Sequence, residues 1–124
     1  MKIAEKVPEG AEYYYRKAIN AQLDDDPVIV LEYFNRAIAA HPGYAMAWNK
    51  KANFLDYLGK YQEAIQCYDR AIKLDPLLSE AYLNKGTTLN KMGKTQESVP
   101  YIKYGINLYR IRLEESRRKQ ILAK

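Results

Sequence analysis

The sequence predicts an all-α fold of stacked helix–turn–helix units, and three observations carry that prediction. The first is local period. Between Ala45 and Leu78 the residues Trp48, Ala52 and Leu55 recur at intervals of four and three, and Ala64, Tyr68 and Ala71 repeat those intervals. Each set therefore lies on one face of a helix. The second is punctuation: Gly59, which reaches positive φ at little cost, falls between the two sets, and Pro76, which has no donor N–H, follows the second. The third is self-similarity. A shift of 34 residues brings Ala11 and Ser79 into register with Ala45 without a gap, and a period of that size marks an array of stacked units.

Three units follow, at 11–44, 45–78 and 79–109, with a lead-in over 1–10 and a basic helical extension over 110–124. The first helix opens near Pro8 or Ala11, with Glu9 and Glu12 at the positive end of its dipole, and is expected to reach Leu23. Asp24-Asp25-Asp26-Pro27 then reads as loop, N-cap and first-turn proline of a helix to about Ala40. No EF-hand spacing follows the three acids, so a metal site is not predicted there. His41-Pro42-Gly43 breaks the chain again, and His41 is expected to cap a helix C-terminus rather than to act in catalysis. Gly59-Lys60 and Gly93-Lys94 are helix–turn junctions without the glycine lead-in of a phosphate loop. Pro100 falls about one turn into the last helix, which predicts a local kink or a late start near Ser98. One long helix is expected from Val99 to Ala123. Its stripe of Ile102, Ile106, Tyr109 and Leu113 is expected to cover the open end of the stack as a cap, while its last, basic part is held loosely.

The register of the three units sets large residues against small ones. Tyr14, Trp48 and Tyr82 align, as do Ala18, Ala52 and Gly86, then Ala21, Leu55 and Leu89. In the second helices Val30, Ala64 and Ser98 align, then Phe34, Tyr68 and Ile102, then Ala37, Ala71 and Gly105. Close helix packing requires that alternation. The period and these residues resemble the tetratricopeptide repeat, a 34-residue helix–turn–helix unit, over residues 11 to about 109. Departures are Lys17, Lys51 and Lys85 where the family has Leu, Ser98 and Gly105 where it has Ala, and Arg110 in place of the closing Pro. The lysines are expected to lay their stems along a seam with their heads in water. Tyr14, Tyr68 and Tyr82 are expected in the core, and Tyr15, in the run Tyr13-Tyr14-Tyr15, is a candidate recognition residue.

Composition narrows the function classes. A chain of 124 residues, 48% hydrophobic and 28% charged, describes one globular unit, and about three repeats is the minimum for a stable array. The lone Cys67 leaves no intramolecular disulfide, which predicts a reducing, cytoplasmic home. No stretch approaches the ~20 apolar residues of a membrane span, and the first seven residues are too polar for a signal-peptide core. One His and one Cys in different segments make neither a metal set nor a nucleophile–base pair. Glu114 and Glu115 diverge on a helix and cannot flank one bond. No enzyme, cofactor or metal is predicted. Of the net charge of +5, Arg110 to Lys124 supplies most, with six basic against two acidic residues. The array itself lacks the basic, aromatic-interleaved face of a nucleic-acid binder.

The resemblance implies a right-handed superhelix whose first helices line a concave groove. The groove positions map to Glu12, Tyr15, Ile19, Gln22 and Leu23, then Met46, Asn49, Asn53, Asp56 and Tyr57, then Glu80, Leu83, Thr87, Asn90 and Lys91, with Asn84 nearby. Asparagine carboxamides both donate and accept, so they suit the backbone of an extended peptide, and Tyr15, Met46, Tyr57 and Leu83 would supply pockets. The expected function is a non-catalytic scaffold for a protein or peptide partner. Alanine at Asn53 and Tyr57 is expected to weaken that partner while leaving the melting transition nearly intact. Family members that hold the acidic C-termini of heat-shock chaperones do so with Lys, Asn and Arg. Here the corresponding positions are Tyr15, Ile19, Lys50, Glu80 and Asn84, so such tails are not predicted partners. Two alternatives remain: an anionic-surface or nucleic-acid adaptor using Arg112, Arg117, Arg118 and Lys119, and self-association through the Ile102–Leu113 stripe or an uncapped array end.

Overall fold

The computed structural model describes residues 7–21 and 26–123. Among the described residues there are six α-helices and no strand: α1 (Glu9–Ala21), α2 (Pro27–Ala40), α3 (Ala45–Tyr57), α4 (Tyr61–Leu74), α5 (Ser79–Lys91) and α6 (Thr95–Leu122). Helices pair as α1 with α2, α3 with α4 and α5 with α6, and each pair lies on the next to form a superhelix. The expected end of the first helix at Leu23, and the residues Asp24 and Asp25, lie outside the described residues.

Local chemistry explains the boundaries. Asp26 caps α2 by accepting the Val28 amide at 2.9 Å, with Pro27 in the first turn. His41 ends that helix, its amide donating to Ala37 O at 3.0 Å. Gly59 and Gly93, both at φ +79°, turn the chain between α3 and α4 and between α5 and α6. The two turns match: the Lys60 amide donates to Leu55 O at 2.9 Å, and the Lys94 amide to Leu89 O at 2.9 Å. That bond starts α6 at Thr95, in register with Tyr61, so the late start expected near Ser98 does not occur. Pro100 instead lies inside α6, where the carbonyl of Gln96 loses its usual donor.

Large residues do lie against small ones. Phe34, Val30 and Phe54 pack with Ala18 and Ala21; Leu55 and Tyr68 pack with Ala52 and Ala64; Leu78 packs with Ala71 and Ala81. The third pair is drawn closer still. A Cβ on Gly86 would stand 2.5 Å from Ile102 Cγ1, and one on Gly105 2.8 Å from Leu83 Cγ, so α5 and α6 meet where alanine does not fit.

Two expectations need correcting here. Tyr68 is core, but Tyr14, Trp48 and Tyr82 are only half-buried. Their polar tips explain it: Trp48 Nε1 donates to Pro42 O at 3.2 Å and Tyr82 OH to Pro76 O at 2.8 Å, each reaching six residues back, while Tyr14 OH accepts from Arg36 at 3.5 Å. The lysines lie over aromatic faces, Lys17 at 5.6 Å from the Tyr13 ring, Lys51 at 5.5 Å from Trp48 and Lys85 at 4.0 Å from Tyr101. Lys85 breaks the stem-in, head-out expectation, being 8% exposed and 2.5 Å from Asp69. Burial alone would lower its pKa; the hydrogen bonds to Asp69 and Tyr101 outweigh it and raise it.

The extension is helical and continuous with the last repeat helix, since α6 runs 28 residues against the 13 of α5. It does not fold back. Ile106, Tyr109 and Leu113 stay about half exposed, so the stripe expected to close the stack is itself open: Ile106 lies alongside α5, next to Gly105 and its contact with Leu83, but on a face that no described helix covers. No described helix is long and apolar enough to cross a membrane.

Candidate peptide-binding groove

The first helices of the first two pairs enclose a cleft of about 370 Å³, lined by Tyr15, Arg16, Ile19 and Asn20 of α1 and by Lys50 and Asn53 of α3. Helical spacing creates it: Tyr15 and Ile19 are one turn apart, as are Lys50 and Asn53 within one residue, so each helix presents a two-residue edge. Tyr15 is half-buried, its ring 5.1 Å from that of Tyr44. Desolvation, with Tyr44 and the Glu80 carboxylate adding to it, pushes the Tyr15 pKa up to about 12. The phenol therefore stays a neutral donor at physiological pH.

Asn53 divides its two functions. Its Oδ1 accepts from the buried Tyr68 hydroxyl at 2.6 Å, leaving the amide NH2 as the group it offers to the cleft. Lys50 is already paired, its Nζ 2.7 Å from Glu80 Oε1. The lining thus combines an aromatic donor, an amide donor, an aliphatic side chain and two cations, Lys50 and Arg16, each paired with a carboxylate. Tyr57, 68% exposed, stands further along α3 with its ring 6.1 Å from Phe54. Thr87 is exposed on α5 and donates to Leu83 O at 2.9 Å.

Sequence models of the tetratricopeptide repeat match residues 45–76 and 67–99. Over 58 residues the chain is 47% identical to the uncharacterized protein MJ0572 of Methanocaldococcus jannaschii, covering 47% of this chain and 67% of that one. Among solved structures it is similar to MamA, with a TM-score of 0.79 and 27% identity over 85% of this chain. The chain spans 61% of that MamA chain, less than two thirds of its length. It is also similar in fold to the second TPR of Spaghetti (RPAP3) bound to the HSP90 peptide SRMEEVD, with a TM-score of 0.75 and 24% identity over 81% of this chain and 93% of that one. The chain belongs to the tetratricopeptide-repeat family.

In this tetratricopeptide-repeat protein several residues assigned to the groove by register are instead spent on holding repeats together. Asn49 is fully buried, its Oδ1 accepting from Asn84 Nδ2 at 3.3 Å and its own amide facing Met46 Sδ at 3.8 Å. Asp56 accepts from the Thr88 hydroxyl and lies 2.5 Å from Lys91 Nζ. Leu83 packs on Gly105, and Asn90 accepts from the Thr95 hydroxyl at 3.0 Å across the last turn. Glu12 pairs with Arg16 at 2.6 Å and lines a second cleft, of about 570 Å³, formed by α1 and Tyr33 of α2. Gln22 and Leu23 lie outside the described residues. Arg16, Asn20 and Tyr44 belong to the cleft or its wall and were not singled out from the sequence; Arg16 and Asn20 adjoin Tyr15 and Ile19 and were findable as neighbours, whereas Tyr44 precedes its helix and carries no periodic signal.

Of the basic residues assigned to the extension, Arg112 donates to Leu77 O at 3.0 Å, and Arg117, Arg118 and Lys119 are exposed. Among the described residues no three His, Cys, Asp or Glu side chains come together as a metal set.

Proposed function

We propose that the chain is a non-catalytic scaffold that holds an extended segment of a partner protein in the cleft between α1 and α3. The observation that carries this reading is a pair of donors on opposite walls, the Asn53 amide on α3 and the neutral Tyr15 hydroxyl on α1, across about 370 Å³ of open volume. Donors on both sides suit the carbonyls of an extended backbone, and Ile19 with the exposed Tyr57 ring offers apolar contact to alternate side chains. A cytoplasmic home belongs to the same reading, supported by the free thiol of Cys67.

The charge of the cleft selects the occupant. Lys50 is neutralised by Glu80, and the Glu80 carboxylate also faces Tyr15. An acidic C-terminal segment such as the SRMEEVD peptide held by the RPAP3 domain would meet two cations that are each already paired with a carboxylate, Lys50 with Glu80 and Arg16 with Glu12. The proposed partner segment is therefore uncharged or weakly basic. Micromolar binding of an Asp-terminated acidic pentapeptide, lost on Lys50→Ala, would overturn that selection.

The structure changes which variants test the groove. Asn53→Ala strips the acceptor from the buried Tyr68 hydroxyl and is expected to cost about 1–3 kcal/mol of stability, so it is not the neutral probe that the sequence suggested. Asn53→Asp keeps an acceptor oxygen for Tyr68 and removes the amide donor; Tyr57→Ala removes an exposed ring. Both are expected to melt close to wild type and to lower recovery of a partner from native extract. Undiminished recovery by the double variant would place the site elsewhere.

A further inference from the structure

The open side of the third repeat carries the surface that the second repeat presents to its successor. In α4, Ile65, Tyr68 and Ile72 lie on that face: Tyr68 is 1% exposed, and Ile72 packs beside Leu78 and beside Ala81 of the next repeat. Thirty-four residues on, the equivalent positions of α6 are Val99, Ile102 and Ile106, and Val99 and Ile106 are 40% and 53% exposed. Tyr109 and Leu113 prolong the stripe past the end of α5. Positions 99, 102, 106, 109 and 113 alternate intervals of three and four, which is the seam by which one helix receives another.

One edge of this seam is basic. Lys103, Arg110 and Arg117 follow at seven-residue spacing, all exposed, and the opposite edge carries Arg112 and Lys119 with no acid. Arg110 has only a loose pair with Glu114, at 3.4 Å on the exposed surface. We propose that the α6 seam docks an amphipathic helix of a partner protein, with aliphatic residues in its own seam and Glu or Asp along the edge that meets Lys103, Arg110 and Arg117.

A second copy of this chain fits worse, for two separate reasons. Two α6 helices laid seam to seam bring basic edge against basic edge in either direction. Head-to-tail stacking would bring α1 onto α6, and there Tyr13 takes the position at which Ala47 and Ala81 are fully buried. It would also set Lys17 against Lys103, where Lys85 and Asp69 form an ion pair one repeat earlier. The seam therefore asks for acidic flanks that neither arrangement of two copies supplies.

The test uses the full chain and two synthetic helices of about three heptads with the same Leu/Ala seam, one flanked by Glu and one by Lys. The Glu-flanked helix is expected to bind and the Lys-flanked one not, with affinity falling as salt rises. Ile106→Asp, at an exposed position, is expected to keep the wild-type melt and to weaken binding by about ten-fold or more. Arg110→Glu with Arg117→Glu is expected to exchange the preference between the two peptides. Equal binding of both peptides, or of neither, overturns the proposal. So does a wild-type dimer in light scattering that Ile106→Asp dissociates, which assigns the seam to a second copy, and so does binding to phosphatidylserine vesicles that the Glu-flanked helix fails to displace.

Discussion

The two joints between repeats share one backbone geometry and differ in chemistry. Between the first and second repeats the contact is apolar and aromatic: Phe54 of α3 enters the cluster of Ala18, Ala21, Val30 and Phe34, and the Tyr15 and Tyr44 rings meet at 5.1 Å. Between the second and third a set of polar pairs is added to the apolar cluster of Ala71, Leu78 and Ala81. Asp56 takes Thr88 and Lys91, Lys50 takes Glu80, Lys85 takes Asp69 and Asn49 takes Asn84. A repeat thus dictates where neighbours meet without dictating what holds them, and the two joints should fail under different insults: one to lost volume, the other to a lost partner.

The largest effect is expected at the apolar joint. Phe34 is fully buried, and Phe34→Ala is expected to cost about 3–5 kcal/mol, as large-to-small changes of buried aromatics do. Urea unfolding measures it; a loss under ~1 kcal/mol would mean the joint does not rest on that ring. The polar joint comes next. Asp56→Ala leaves the buried Thr88 hydroxyl without its acceptor, while the half-exposed Lys91 recovers water, so about 2 kcal/mol is expected rather than the full cost of orphaning a buried charge. Asp56→Asn, which keeps an oxygen for Thr88, should recover part of it. A cycle with Thr88→Val and Lys91→Met shows which partner carries the loss; additivity in both arms would dissolve the contrast between the joints.

Gly86→Ala tests the packing within the third pair on a finer scale. In an open helix the change would gain up to ~1 kcal/mol from propensity, but the new Cβ would stand 2.5 Å from Ile102 Cγ1 and 3.2 Å from Ser98 O. Overpacking is expected to win, for a net loss of about 1 kcal/mol. A stabilised variant would show that Ile102, at the open side of the stack, simply swings away.

What the sequence made legible is what short-range chemistry decides. The Asp26 cap, the Gly59 and Gly93 turns and the small–large register each depend on residues within a few positions, or on an exact repeat of them, and the architecture follows. Roles depend on which neighbour sits over a position, and that is not local. Asn49, Asp56 and Lys91 are polar residues on a first helix, a pattern that suits a groove and a polar joint equally; only the placement of α5 separates the two. The same gap explains α6: the spacing of Ile102, Ile106, Tyr109 and Leu113 reports an apolar face, and says nothing of what covers it. Tyr44 stood outside any period, so its contact with Tyr15 had no signal to find.

The smallest effect separates the apolar joint by pH, and it vanishes at neutrality. Tyr15 holds its proton to about pH 12, against an ordinary value of 10.0, chiefly because burial disfavours the phenolate. A folded-state pKa raised above the unfolded one stabilises the fold fully below pH 10.0, and that contribution is lost as pH rises towards 12, because the unfolded chain releases the proton first. Tyr15→Phe has no proton to release. Its stability relative to wild type is therefore expected to be flat from pH 6 to 9 and to improve steadily from pH 10 to 12, read by urea unfolding at each pH. Lys85, whose pKa its hydrogen bonds to Asp69 and Tyr101 raise, is present in both proteins, so its contribution cancels in the difference. A difference curve that stays flat through pH 12 would mean that the Tyr15 phenol is open to water, and the first joint would then lose the dry aromatic contact that sets it apart from the second.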